Sequence, residues 1–230
     1  MKYIIINSFS TFTMTITKRL IEIYKKTYEI FPNDKNNPKL QYVNREWIFP
    51  NHIDLVIENG INFVNKYHPD ANKEVVFLGA LLHDTGLVYK RTKDDPKGHE
   101  ERSIEFAQNI LKKYNYTAKF IDDVVSCIKA TEYDNEPQLL EAKIVRTADG
   151  YSHLTSIHFL AKANFSDSWD KYFNWFSDKI DQTYNKLSIR EVEEEIRPIY
   201  EHYKKSISIY KQERDMPNKI KEIFYNTRNT

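Results

Sequence analysis

Cysteine is nearly absent: Cys127 is the only one in 230 residues. A lone thiol excludes an intramolecular disulfide and a zinc site built from several thiolates. It suits a reducing, cytoplasmic location. Turn-forming residues are scarce too, with 5 glycines and 8 prolines. That composition disfavours a many-stranded sandwich and favours long helices joined by short loops. No apolar run approaches the roughly 18 residues that a membrane span requires, so no membrane partner is expected. Tyr3 to Ile6 is apolar but too short for a secretion segment, and Met14 offers a second candidate start. Charge of one sign is also lacking, with 34 basic and 33 acidic residues. There is no basic tract interleaved with aromatics, so no long nucleic acid is expected as partner. No P-loop and no dinucleotide-type glycine fingerprint is present.

What remains is helical periodicity. Thr17 is placed to cap a helix from Lys18 to Phe31, with Leu20, Ile21, Tyr24, Tyr28 and Phe31 on its apolar side. Pro32 to Pro38 reads as a polar loop. A helix beginning near Pro50-Asn51 carries His52, Val56, Phe63 and Tyr67 and ends at His68-Pro69, because proline disfavours helical geometry in the residue before it. Lys73 to Asp84 is apolar on all sides. That pattern also permits a strand, but the lack of alternation favours helix. Asp94 to Gly98 is a loop signal. His99 opens a further helix, Thr117 caps another, and Pro137 to about Leu154 gives one carrying Ile144, Ala148 and Asp149. Phe173 to Leu187 and Val192 to Tyr210 are amphipathic, with a bend or break expected at Pro198. The segment from Met216 onward is expected to dock weakly or fray. The fold expected is all-α, a compact helical bundle.

The residues that carry chemistry are His52, His83, Asp84 and Asp149. Taken singly, each has a plain reading. A buried histidine is commonly a satisfied core residue, Asp84 could cap a helix end, and Asp149 could pair with Arg146. Taken together they are costly to bury unless something satisfies them. Two imidazoles and two carboxylates suit Mn, Fe, Co, Ni or Zn better than calcium, which prefers oxygen ligands; Mg is also possible. Adjacent helical residues point about 100 degrees apart, so His83 and Asp84 reach one ion only at a helix end. Gly86 just beyond gives the chain room to turn there.

The ordered set also resembles a known family. His52, the segment Leu81-Leu82-His83-Asp84-Thr85-Gly86, and the segment Ala142 to Gly150 ending in Ala148-Asp149-Gly150 are similar to the HD-domain superfamily of metal-dependent phosphohydrolases, small bacterial and archaeal type. The resemblance covers a core of about residues 48–160, with an additional helical segment over about 170–230, in one domain spanning 1–230. It implies a compact helical bundle in which His52, His83, Asp84 and Asp149 hold one divalent metal. It further implies hydrolysis of a small phosphorylated metabolite, a nucleotide by preference. His99 matches a position that contributes to a second metal in some relatives, and is expected here in the outer shell of the first. Thr131 stands where the second site would need a histidine.

For the reaction, Asp84 and Asp149 are candidates to orient water, and Glu100, with Glu101 behind it, to move a proton. Phosphate requires cationic donors where charge develops. Arg102 and Arg146 are preferred for this because of their planar donor fork, followed by Lys90, Arg91 and Lys93. Trp47, Phe49 and Tyr89 are candidates for base stacking. The alternative is a non-enzymatic nucleotide-sensing or protein-interaction module that retains the fold. An amphipathic C-terminal helix would support a homodimer.

Overall fold

The computed structural model describes residues 14–31, 51–88, 98–163 and 166–226. Among them are nine α-helices and no strand. In chain order these are α1 (Lys18–Ile30), α2 (Ile53–Tyr67), α3 (Lys73–Leu82), α4 (His99–Lys113), α5 (Ala118–Ala130), α6 (Leu140–Thr155), α7 (His158–Ala163), α8 (Trp169–Asn185) and α9 (Arg190–Asn226). A short 3-10 turn, Thr85–Val88, follows α3.

The helix starts are set by side-chain caps that satisfy amides otherwise left without partners. Thr17 Oγ1 accepts from the Leu20 amide at 3.2 Å and Thr117 Oγ1 from the Phe120 amide at 3.3 Å. Asn72 Oδ1 accepts from the Glu74 and Val75 amides. This last cap decides the ambiguous run after it: Lys73–Leu82 is a helix, buried from Val75 through Leu82. α2 ends at Tyr67, just before His68-Pro69, as the proline requires.

α2 and α6 pack lengthwise on each other, and α3 lies against both; α5 covers α3 and α6, and α4 covers α5. Small residues set the closest approaches. A Cβ on Gly79 of α3 would stand 2.5 Å from the Cβ of Cys127 in α5. The core between these helices includes Ile53, Ile61, Val76, Leu78, Leu81, Ile128 and Ile144. A second apolar cluster, with Leu154, Phe159, Phe176, Ile180, Ile196 and Ile207, forms where α8 and α9 pack on the end of α6. Tyr151 touches both clusters.

One of the alternatives expected at Pro198, a break, is corrected here. Pro198 does not break its helix: α9 runs through both Pro198 and Pro217. Each proline removes one amide bond, but Val192, Ile196 and Ile207 keep one buried face in register across Pro198. From Met216 to Asn226 the chain continues α9 with Met216, Ile220 and Ile223 exposed, in keeping with the weak docking expected there. The expected Pro32–Pro38 loop lies outside the described residues, as do Trp47, Phe49, Tyr89, Lys90, Arg91 and Lys93.

Candidate metal centre

Two helix termini and one helix interior meet at a single point. His52 is the residue preceding α2, His83 ends α3, Asp84 follows it, and Asp149 lies inside α6. All four are buried. His52 Nε2 is 3.3 Å from Asp149 Oδ1 and 3.8 Å from Asp84 Oδ2. His83 Nε2 is 3.4 Å from Asp84 Oδ2 and 3.8 Å from Asp149 Oδ1. Donors bound to one cation at about 2.0–2.2 Å lie roughly 3.0–3.5 Å apart, so the spacing is close to that of a shared ligand shell. Ligand atoms of His52, His83 and Asp149 all lie within 4.8 Å of one another.

The orientation of the imidazoles matters more than their spacing. His83 Nδ1 lies 2.8 Å from the Ala80 carbonyl oxygen and must donate to it, so the lone pair of the neutral ring is on Nε2. Both Nε2 atoms, of His52 and of His83, are fully buried and make no hydrogen bond. Carboxylate oxygens are close, yet neither ring is aimed at them with hydrogen-bond geometry. Buried polar atoms without partners are costly. Two such nitrogens beside two carboxylates fit a divalent cation, since transition metals favour neutral imidazole nitrogen and anionic oxygen donors.

The electrostatics agree. Burial pushes the Asp84 carboxyl up, but His83, His99 and His52 outweigh it and hold it well below the usual range. Burial likewise opposes ionisation of Asp149, and Lys186, His153 and His52 overcome it. Burial lowers His52, yet the contact with Asp149 and the charge of Asp84 raise it overall. Without metal the site is thus two carboxylates held together by protons and a lysine.

His99, the first residue of α4, places Nε2 3.6 Å from Asp84 Oδ1, and its Nδ1 is 3.1 Å from Glu100 Oε2. Glu100 therefore lies against His99 and not against the His52–His83–Asp149 group. Glu101 Oε2 accepts the Gly98 amide at the start of α4. Arg102 Nε donates to the Gly86 carbonyl at 3.1 Å, and Ser103 Oγ accepts the Gly86 amide at 2.8 Å. These bonds dock α4 onto the turn after Asp84. Gly86 is required there because its Cβ would stand 1.9 Å from the His99 carbonyl oxygen, not because the chain needs a left-handed turn: no glycine has positive φ among the described residues.

The expectation for Arg146 is corrected. Its guanidinium is buried and donates to five backbone carbonyls: Lys186, Ala130, Glu132, Asn135 and Tyr133. Its donors are committed to protein, which leaves no fork for phosphate, and it does not pair with Asp149. The partner of Asp149 is Lys186, whose Nζ lies 3.2 Å from Oδ2. Thr131 turns its hydroxyl back onto the Ile128 carbonyl at 2.8 Å.

The structure adds residues that the sequence reading missed. His153 Nδ1 is 3.6 Å from Asp149 Oδ1, and its ring stacks on His52 at 4.5 Å between centroids. His158 follows at 4.1 Å from His153. Burial holds His153 well below its ordinary pKa and brings His158 down to about 3, so both rings are neutral. The spacing of Asp149 and His153, four residues on one helix face, was a usable signal. His158 carried none because it starts a separate helix, α7, beyond the periodicity of α6, and Lys186 none because it is a single residue far in sequence from the motif.

A helical bundle with a buried His/Asp centre of this spacing could hold a divalent cation. The family comparison agrees: residues 51–154 match the HD domain. That segment, a little under half of the chain, is similar to the HD domain, and the rest of the chain lies outside the match. His52, His83, Asp84, His99 and Asp149 fall inside the matched segment, whereas His158, Lys179 and Lys186 lie beyond it. No curated protein and no solved structure gives a significant match to the chain. No helix among the described residues is long and apolar enough to cross a membrane.

Proposed function

We propose that the protein is a metal-dependent phosphohydrolase acting on a small phosphorylated metabolite, with nucleotides the first substrates to test. The observation that carries this reading is the pair of buried, unpartnered Nε2 atoms of His52 and His83 beside Asp84 and Asp149. These four residues would hold one divalent transition metal. When bound, such a cation supplies polarisation of a phosphoryl oxygen and a water acidic enough to react near neutral pH.

The chain's own residues do the rest. Ala80 fixes the His83 ring through Nδ1, and Lys186 holds Asp149 Oδ2 so that Oδ1 faces the imidazoles. Asp84, kept ionised, orients the attacking water by accepting a hydrogen bond. Burial lowers the pKa of His99, but Asp84 and Glu100 raise it overall. His99 is thus the group that holds a proton near neutrality, and its ring is partly exposed. As water oxygen bonds to phosphorus and the bond to the leaving oxygen breaks, His99 protonates that oxygen. Glu100 supports the imidazolium through Nδ1.

The test is a phosphate- and pyrophosphate-release screen over nucleotides and sugar phosphates, with Mn, Co, Ni, Mg and Zn supplied separately and products identified by chromatography. Turnover that disappears when His83 and Asp84 are both replaced by alanine supports the reading. Undiminished turnover in that double variant overturns it. Saturable nucleotide binding with no product under every metal favours a sensing or interaction module.

A further inference from the structure

The HD segment does not close its own site; α8, which lies beyond it, forms one wall. Gly150, next to Asp149, lets α8 approach, since a Cβ there would stand 3.0 Å from the Thr183 carbonyl oxygen and 3.2 Å from Leu187. At one end of this wall Lys186 reaches Asp149 at 3.2 Å. At the other, the Trp175 ring lies 6.3 Å from His158, which continues through His153 to His52. At about 100 degrees per residue, positions 175, 179 and 186 fall within about 40 degrees of one another on the helix surface. Lys179 therefore projects from the same face, between the Trp175 contact and the Lys186 contact.

Lys186 is paired and Lys179 is not. The Lys179 ammonium makes no hydrogen bond or ion pair among the described residues, although its side chain is largely withdrawn from solvent. Its neighbours His153 and His158 are neutral, so they neither repel it strongly nor compensate it. A cation in such a place is costly without an anion.

We infer that Lys179 is the anchor for a phosphate dianion at this site, contributed by the C-terminal helices and not by the HD segment. The charges agree. Asp84 and Asp149 are balanced by Lys179 and Lys186, and His99 is offset by Glu100. A divalent cation would then leave two positive charges, which match a terminal phosphate or phosphomonoester and not a diester. Burial and the charge of Lys186 depress the Lys179 ammonium, and an arriving dianion would relieve both effects. The inference rests on the phosphohydrolase reading and narrows its substrate class to phosphomonoesters and terminal phosphates.

The probe is inorganic phosphate, titrated calorimetrically into the Mn-loaded protein, with methyl phosphate and dimethyl phosphate as dianion and monoanion competitors. Lys179→Gln should weaken phosphate binding by about tenfold or more, the usual scale of a lost charge-assisted contact. It should also reduce the preference for methyl over dimethyl phosphate and leave Mn affinity, read by paramagnetic resonance, undiminished. Lys179→Arg should recover most of the binding. In the metal-free protein, Lys179→Met should keep or raise the melting temperature, whereas a lysine retained for packing would lower it. If the wild type binds phosphate and Lys179→Gln binds it equally well, the anchor is refuted while the phosphohydrolase reading stands. If Mn-loaded wild type binds no phosphate at millimolar concentration, both fail.

Discussion

Arg146 is the sharpest place to separate scaffold from site. Its guanidinium donates to carbonyls at the end of α5, in the following loop and at the end of α8. It thereby ties three parts of the chain to α6, one turn from Asp149. Lysine at this position keeps the charge but not the fork; three donors on one atom cannot reach carbonyls spread around a plane. Arg146→Lys would strand several carbonyls in a largely buried place, at about 1–3 kcal/mol for each group fully deprived of a partner. Allowing for relaxation and water entry, a net loss of about 3–4 kcal/mol is expected. For a chain of this size that corresponds to about 6–16 °C in melting temperature. Thermal and urea unfolding of the metal-free protein measures it, with phosphate binding by the metal-loaded protein alongside. Arg146→Lys should lose stability, and whatever remains folded should bind phosphate nearly normally. An unchanged unfolding midpoint with phosphate binding abolished would refute the scaffold role and return Arg146 to the substrate.

Gly86→Ala places a methyl against the His99 backbone and should push α4 away from the Asp84 turn; circular dichroism should stay helical while His99 NMR shifts move and turnover drops. Gly79→Ala presses on Cys127 and Val145 in the core and should cost about 1–3 kcal/mol in urea unfolding with metal affinity unchanged. The pH dependence should change sign with metal. His52 and His99 are raised, so their stabilisation of the metal-free protein is complete below the ordinary histidine value of about 6.5 and is lost as pH rises through their raised values. His153 and His158 are depressed, so their protonation in the unfolded chain at about pH 6.5 works in the opposite direction and dies out about one unit higher, while Asp54, raised by burial to about 6, acts mainly below that range. The metal-free urea midpoint should therefore fall as pH rises from about 7.5. With Mn present it should rise over the same range, because the cation replaces the protons. Parallel pH profiles with and without Mn would contradict this.

Much of the bundle was legible because the signals were local. Thr17 and Thr117 cap their helices with the hydroxyl contacts that their positions suggest, and His68-Pro69 ends α2. The Lys73–Leu82 run was ambiguous by periodicity, and the Asn72 cap identifies it as a helix. Pro198 misled because propensity is local while the buried face of α9 is a tertiary property. The convergence of His52, His83, Asp84 and Asp149 was legible from residue type and order. Arg146 was not, since nothing in sequence shows that five carbonyls surround it. Lys179 and Lys186 were invisible for the same reason: two lysines in a charged amphipathic helix become significant only when α8 lies across Asp149.

The central claim is a divalent cation held by His52, His83, Asp84 and Asp149. Its most direct test is Co(II) titration followed by visible absorption, with bound metal counted per chain after gel filtration. The account predicts one tightly bound cation per wild-type chain, and none in a His83→Ala, Asp149→Ala double variant that remains helical by circular dichroism. Stoichiometric cobalt retained by that folded variant, or no cobalt taken up by the wild type, would contradict it.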